Sequence, residues 1–438
     1  MKYTFPPDFV WGAATSAYQI EGATAADGRG PSIWDTFAAT PGAIKDGTTG
    51  AIACDHYRRY PEDVKLLHDL DIPAYRFSVA WPRILPQGRG RPNAAGLDFY
   101  DRLIDRLAAA GIVPFATLYH WDLPQALDDV GGWTHPDVAG WFADYAHVVV
   151  RRLGDRVRFW ATLNEPWVVT DGGYLHGVLA PGVRSAAATA RASCNLLLAH
   201  AAGLRAMRAA GAVSCGIVLN LEPKYSASSS KADREATARA DAYMNRQYLD
   251  PLFFGRYPEE LAELYGEVAG ADHSALPAAG LDFLGVNYYR RQVVRHDPSA
   301  WPLRAAAVPQ PNEPHTALGW EIHPPGLLDV LTWVRARYGE LPLYVTENGA
   351  AFDDPVHDPA RIAYLRDHLK AVHEAIARGA DVRGYFVWSL LDNFEWAEGY
   401  TQRFGIVSVD FATQARTPRD SARFYGEVVR SNGAALWA

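Results

Sequence analysis

Eight short apolar runs, each closing on polar or aromatic residues, constrain this chain more than any other feature. They are Phe9–Thr15, Ala74–Ala80, Val113–His120, Phe159–Glu165, Cys215–Asn220, Phe283–Tyr289, Pro342–Asn348 and Gly384–Leu390. Continuous apolar runs of this length suit strands covered on both faces, as in a parallel sheet. Helical patterns fall between them. Leu97, Tyr100, Leu103, Ile104 and Leu107 recur at helical spacing ahead of Gly111. Thr134 and Pro136 precede the run Val138–Leu153, which stops at Gly154, in the order of cap, early proline and terminal glycine. Asn195–Ala210 ends before Gly211, and Pro325 opens Leu327–Tyr338. Ile362, Leu365, Leu369, Val372 and Ile376 form a further stripe ended by Gly379. The Ala-rich stretch Ser185–Ala192 and the segment Ser226–Ser230 read as surface loops.

Strands alternating with helices indicate βαβ units. Eight of them predict an α/β fold closed into a single (β/α)₈ barrel, one domain over residues 1–438. Length alone would allow about three domains, but a barrel with loop insertions uses this much chain. An open doubly wound sheet is the rival, and no GxGxxG follows the first run to support it. Strand starts lie about 40 to 70 residues apart, against about 30 for a minimal barrel unit. The excess predicts long βα loops walling a deep pocket, on the face where barrel chemistry collects.

Charge and cysteine usage narrow the classes of partner. Lys and Arg number 42 against 50 Asp and Glu, a net charge of −8, which argues against a nucleic-acid footprint. Arg58-Arg59 and Arg151-Arg152 read as solvated helix faces. Three scattered cysteines, Cys54, Cys194 and Cys215, make no disulfide framework and no zinc ribbon, which fits a reducing compartment. The opening Met1-Lys2-Tyr3-Thr4-Phe5-Pro6-Pro7 has no apolar core of a signal peptide, and no run reaches the length of a bilayer span, so a cytoplasmic location is expected. No HExxH occurs and the histidines show no tight ligand spacing, so neither metal nor cofactor is expected. The 14 Trp and 22 Tyr serve packing by default, and flat aromatic faces also suit the C–H surface of a pyranose.

Two carboxylates stand at equivalent places. Glu165 closes the fourth run, in Thr162-Leu163-Asn164-Glu165-Pro166-Trp167, and Glu347 closes the seventh, in Tyr344-Val345-Thr346-Glu347-Asn348-Gly349. Alone, the first motif describes a turn with a solvent-facing acid and the second a strand end followed by a turn. Together, at nearly opposite strand ends of a barrel, they could flank one substrate. Hydrolysis of a glycosidic bond needs such a pair. One carboxyl protonates the leaving oxygen, and the other attacks the anomeric carbon or activates water, according to their separation.

The ordered set of motifs resembles glycoside hydrolase family 1 over nearly the whole chain. It comprises Phe9-Val10-Trp11-Gly12-Ala13-Ala14-Thr15-Ser16-Ala17-Tyr18-Gln19-Ile20-Glu21-Gly22, Ser32-Ile33-Trp34-Asp35-Thr36-Phe37, Asp55-His56-Tyr57, Arg76-Phe77-Ser78, Trp81-Pro82-Arg83 and Leu118-Tyr119-His120-Trp121-Asp122-Leu123-Pro124. The two glutamate motifs follow, then Trp388-Ser389-Leu390-Leu391-Asp392-Asn393-Phe394-Glu395-Trp396 and Arg403-Phe404-Gly405. Ala80 departs from the serine frequent in the family.

The resemblance implies a retaining β-glycosidase, with Glu165 as general acid/base and Glu347 as nucleophile. It places Arg76 and Tyr289 beside the nucleophile, where a guanidinium favours an ionised carboxyl. Asn164 and Asn287 are implied at the sugar 2-hydroxyl side. Gln19, His120, Trp121, Glu395, Trp396 and Phe404 are implied around the nonreducing sugar, with Trp388 as the platform beneath it. For His120 the plain alternative is a hydrogen-bonded barrel histidine. Trp167 and Trp320 are expected in the aglycone region, and His56 and Trp34 are left as structural. A carboxylate at Glu395 would repel a 6-phosphate, so the segment Glu395–Tyr400 is of the neutral-sugar type. The expected activity is exo-acting β-glucosidase with broad glycone tolerance (glucose, also galactose or fucose), on small-molecule β-glucosides or oligosaccharides such as those of cellulose breakdown. A 6-phospho-β-glycosidase, a transglycosylase and, outside enzymes, a noncatalytic sugar-binding barrel are the alternatives. A homo-oligomer stays open.

Overall fold

A computed structural model describes residues 4–270 and 273–438. Met1–Tyr3, part of the opening segment read above, lie outside the described residues. Eight parallel strands close into a barrel in chain order: β1 (Val10–Ala14), β2 (Ala74–Ser78), β3 (Val113–Tyr119), β4 (Phe159–Asn164), β5 (Ser214–Asn220), β6 (Phe283–Asn287), β7 (Leu343–Asn348) and β8 (Val382–Trp388). Each expected run overlaps one of them, β5 starting one residue and β8 two residues ahead of its run. The ring shuts where β1 lies beside β8, with Val10 opposite Gly384 and Ala14 opposite Trp388.

Helices α1 (His56–Asp69), α2 (Ala94–Ala109), α3 (Val138–Leu153), α4 (Ala186–Ala209), α5 (Gln247–Phe254), α6 (Pro324–Tyr338), α7 (Pro359–Ala377) and α8 (Asp420–Arg430) form the outer layer. Two local expectations fail. The stretch Ser185–Ala192 is no loop: Ser185 caps α4 by accepting from the Ala188 N–H at 3.2 Å, and the alanines behind it are the strongest helix formers. Thr134 is not the cap of α3. It ends a short 3₁₀ turn, Gly132–Thr134, and Asp137 occupies the cap position.

The barrel interior is filled at its N-terminal end by aromatic rings. Phe115 stacks on Phe159 at 5.5 Å and meets Phe283, Phe386 and Tyr344 edge-on at 5.2, 5.2 and 5.9 Å. Rings this large need small partners across the barrel. Gly12 is one of these: a Cβ there would sit 2.4 Å from the Phe386 ring. The C-terminal face carries the insertions. A small sheet of Lys224–Ser226, Gln292–His296 and Ala305–Ala307 rises from the loops after β5 and β6, and a hairpin of Val407–Val409 and Arg416–Pro418 follows β8. Among the described residues no helix is long and apolar enough to cross a membrane.

Candidate active site

Register breaks aim the two glutamates. Along β4 the pairing with β5 slips between Ala161 and Asn164, and along β7 the pairings with β6 and β8 slip between Val345 and the Glu347–Asn348 pair. Such irregularities re-aim side chains at barrel rims. Glu165 also takes a left-handed backbone conformation, φ +47°, at the turn into Pro166. A non-glycine residue is held there only by its surroundings. Gly349 serves close approach: a Cβ would meet the Trp388 carbonyl oxygen at 1.7 Å.

Arg76, fully buried on β2, ties three strands together. Its Nη1 donates to Glu347 Oε1 at 2.6 Å and its Nη2 to Asn164 Oδ1 at 2.7 Å. The Tyr289 hydroxyl donates to the other Glu347 oxygen at 2.6 Å. Both carboxylate oxygens of Glu347 are thus oriented by donors. Glu165 sits differently: burial and then the charge of Glu347 push its carboxyl well above the ordinary range, while Asn287 Nδ2, donating at 2.8 Å, pulls the other way. The two carboxyls of one cavity therefore sit in unlike surroundings: donors orient both oxygens of Glu347, whereas burial and the neighbouring charge disfavour the ionised form of Glu165.

Asn164 settles the state of His120. Its Oδ1 accepts from Arg76 and from Asn287 at 3.2 Å, so its Nδ2 faces His120 Nε2 at 3.1 Å. Nε2 must accept, which leaves the proton on Nδ1. Nδ1 is buried without a protein partner, and burial plus the charge of Arg76 hold the imidazole neutral. The ring therefore offers a free donor where it lines the cavity.

The cavity, about 460 Å³, lies between these groups and an aromatic wall. Trp121, Trp388, Trp396 and Phe404 line it, as do Tyr289 and Asn287. Trp121 packs on Trp396 at 4.4 Å, and His120 lies flat against Trp388 at 5.8 Å. Trp167 and Trp320 line the same cavity, and the Trp167 Nε1–H has no partner. Three expected residues stand behind the wall instead. Arg76 and Asn164 act through their hydrogen bonds, and Gln19 donates to Asn393 Oδ1 at 2.9 Å, to the Phe394 carbonyl at 3.0 Å and to Glu395 Oε2 at 3.3 Å. Burial and the Glu347 charge push Glu395 up to about 8, so near neutrality it offers donor as well as acceptor.

Several residues that carry the site were not singled out from sequence. Asp392, fully buried, accepts from both Arg419 Nη atoms at 2.9 Å and from the Gly405 N–H at 3.0 Å, fastening the loop that bears Glu395, Trp396 and Phe404. Glu21 accepts from Arg83 at 2.9 Å and from Tyr100 at 2.6 Å, fastening the segment that bears Gln19. Asp122 follows His120-Trp121 with both carboxyl oxygens buried and, among the described residues, without a hydrogen-bond partner, and burial pushes it up to about 8. Asn220, Glu222, Arg290, Met244 and Leu318 line the cavity as well. Their neighbourhood in space crosses three loops, and no spacing in the sequence signals it. Among the described residues no group of three His, Cys, Asp or Glu is placed to hold a metal ion.

Comparison with known proteins agrees with this geometry. The model of Glycosyl hydrolase family 1 matches residues 1–434. β-Glucosidase A of Thermotoga maritima is 48% identical over 98% of each chain. A bifunctional β-D-glucosidase/β-D-fucosidase of Bifidobacterium breve is 42% identical over 99% of this chain and 100% of its own. The solved family 1 β-glucosidase from Thermotoga maritima superposes with a TM-score of 0.96 at 47% identity, covering 98% of this chain and 99% of that one; a complex of a β-glucosidase from the same organism with deoxynojirimycin fits equally well, with a TM-score of 0.96. On its cavity, its barrel and these matches, the chain belongs to glycosyl hydrolase family 1.

Proposed function

We propose that this chain is an exo-acting, retaining β-glucosidase that cleaves terminal β-D-glucosyl residues from β-glucosides and short oligosaccharides, including those released from cellulose, with galactose and fucose accepted as glycones. The carrying observation is the unequal pair of carboxyls. Glu347, oriented by Arg76 and Tyr289, attacks the anomeric carbon. Glu165, kept protonated by burial and by the Glu347 charge, gives its proton to the departing oxygen. Forming the glycosyl ester consumes the Glu347 charge. That removes one cause of the raised Glu165 pKa, so Glu165 leaves the first step ready to take a proton from water in the second.

His120 Nδ1–H, Glu395 and the Trp388 face recognise the glycone, and Gln19, Asn164 and Asn287 position the groups that touch it. Trp167 and Trp320 flank the aglycone. A proton-bearing Glu395 suits neutral hydroxyls. A 6-phosphate there would find no dedicated cation, since among the described residues Arg290 is the one Lys or Arg lining the cavity. The whole chain serves one catalytic unit, and its three unpaired cysteines fit a reducing, cytoplasmic setting.

Proton NMR of the first anomer released from an aryl β-glucoside tests the reading. β-Glucose first, mutarotating later, is the expected result. α-Glucose first would make Glu347 a base for water, and no release would sink the assignment.

A further inference from the structure

Beyond the catalytic pair, the cavity holds a cationic corner with no assigned task. Glu222 is clamped by Asn245, whose Oδ1 accepts from its N–H at 2.9 Å and whose Nδ2 donates to its carbonyl at 2.9 Å. Its carboxylate is shared by two cations: Lys224 Nζ, which also donates to Gln292 Oε1 at 3.0 Å, and Arg290 Nε at 2.8 Å. Burial pushes the Glu222 carboxyl up, but the two cations outweigh it and hold it below the usual range. The trio therefore carries a net charge of +1.

Arg290 is the exposed member. Lys224 and Glu222 side chains are 5% and 7% accessible, whereas that of Arg290 is 41% accessible and lines the cavity. Its Nε is spent on Glu222, and among the described residues neither Nη nitrogen has a hydrogen-bond partner. The guanidinium lies over the Trp320 ring at 5.6 Å, and Trp320 lies 5.4 Å from Tyr289, which touches Glu347. The chain of contacts Glu347–Tyr289–Trp320–Arg290 leads outward from the nucleophile through two aromatic side chains to the guanidinium. A guanidinium fixed through Nε, with both Nη groups free, presents a fork that matches a carboxylate.

We propose that Arg290 is an anion-accepting end of the aglycone site, selecting β-glucosides whose aromatic aglycone bears a carboxylate. This rests on the β-glucosidase reading and extends it to the leaving-group half of the substrate. Glu222 and Lys224 position the fork, and Trp320 supports the aglycone ring beneath it.

The test compares kcat/KM for 4-carboxyphenyl and 4-carbamoylphenyl β-D-glucoside in the full chain and in Arg290→Met and Arg290→Lys. The ratio of the two substrates within each protein cancels general losses of folding or turnover. The carboxylate-to-amide ratio should fall about tenfold in Arg290→Met, a partly exposed charge pair being worth on the order of 1 kcal/mol. It should fall less in Arg290→Lys, and added salt should reduce it in the two proteins that keep a charge at position 290 but not in Arg290→Met. An unchanged ratio in Arg290→Met, with hydrolysis intact, overturns the proposal and leaves the β-glucosidase reading standing. Hydrolysis of neither glucoside by the unaltered protein overturns both.

Discussion

The two ends of this barrel are built on the same eight strands and meet opposite requirements. At the N-terminal end the inward positions are Phe115, Phe159, Phe283, Tyr344 and Phe386, packed ring against ring. Three to six residues further along the chain from the same strands, the inward positions are Asn164, Glu165, Asn287 and Glu347, with Arg76 reaching across to them. The first set gains by leaving water, and its cost of assembly is only conformational. The second set loses hydration that hydrogen bonds must replace atom by atom. The difference teaches where specification resides. The plug tolerates any volume-conserving rearrangement, whereas the charged layer works only while each donor keeps its acceptor. At the polar end the strands slip between Ala161 and Asn164 and between Val345 and Glu347, where the glutamates and their neighbours turn inward; β7 also slips against β8 at Leu343–Tyr344, beside the plug.

Substitutions at the two ends should therefore be separable, and the largest effect belongs to the polar one. Glu347→Ala should lower kcat by at least about 10⁴-fold, and Glu165→Ala by about 10²–10⁴-fold with loss of the alkaline limb of the pH profile. Steady-state kinetics with an aryl glucoside checks this, and wild-type turnover in Glu347→Ala would break the comparison. At the other end, Phe115→Ala should cost about 3–5 kcal/mol in denaturant unfolding while kcat/KM of the folded fraction stays within a few-fold. A large fall in kcat at full folding would mean that the ends are coupled.

Asp122 sharpens the contrast through pH. Its folded pKa of about 8 exceeds that of an unfolded aspartate, about 3.9. The acid is stable in the fold below about pH 4, and that stability is lost as pH rises towards 8. The unaltered protein should thus lose up to about 1.4 kcal/mol per pH unit across that window relative to Asp122→Asn. Chemical denaturation at stepped pH measures the difference, and a flat difference would place a partner on Asp122. The smallest effect is a titration. In Glu347→Gln the pKa of Glu165, followed by carbon NMR, should fall, because the charge of Glu347, the second of its raising causes after burial, is gone. No fall would detach the two carboxyls.

Much of this was legible beforehand, for physical reasons. All eight strands showed because both their faces are covered, which leaves uninterrupted apolar runs in the sequence. The glutamates showed because strand-end motifs repeat at β4 and β7. The start of α4 was missed because alanine and serine serve loops and helix caps alike, and only the Ser185 bond to Ala188 decides. Gln19, expected among the sugar contacts, also donates its amide to the Asn393–Glu395 loop, a link between distant segments that no local sequence encodes. The Glu222–Lys224–Arg290 corner was invisible for the same reason: its charges meet only after two loops fold over the barrel mouth.

That bond from Gln19 to Glu395 spans 376 positions, and β1 finds its second neighbour only in β8. The pocket is therefore a late product of synthesis. A growing polypeptide displays Glu165 and Glu347 on the ribosome while the wall that holds Trp396 and Phe404 is still unmade. Bond cleavage must wait until the last strand joins the first, so activity reports completed closure of the ring, and a truncation short of Trp388 yields a protein with both reactive groups and no enzyme.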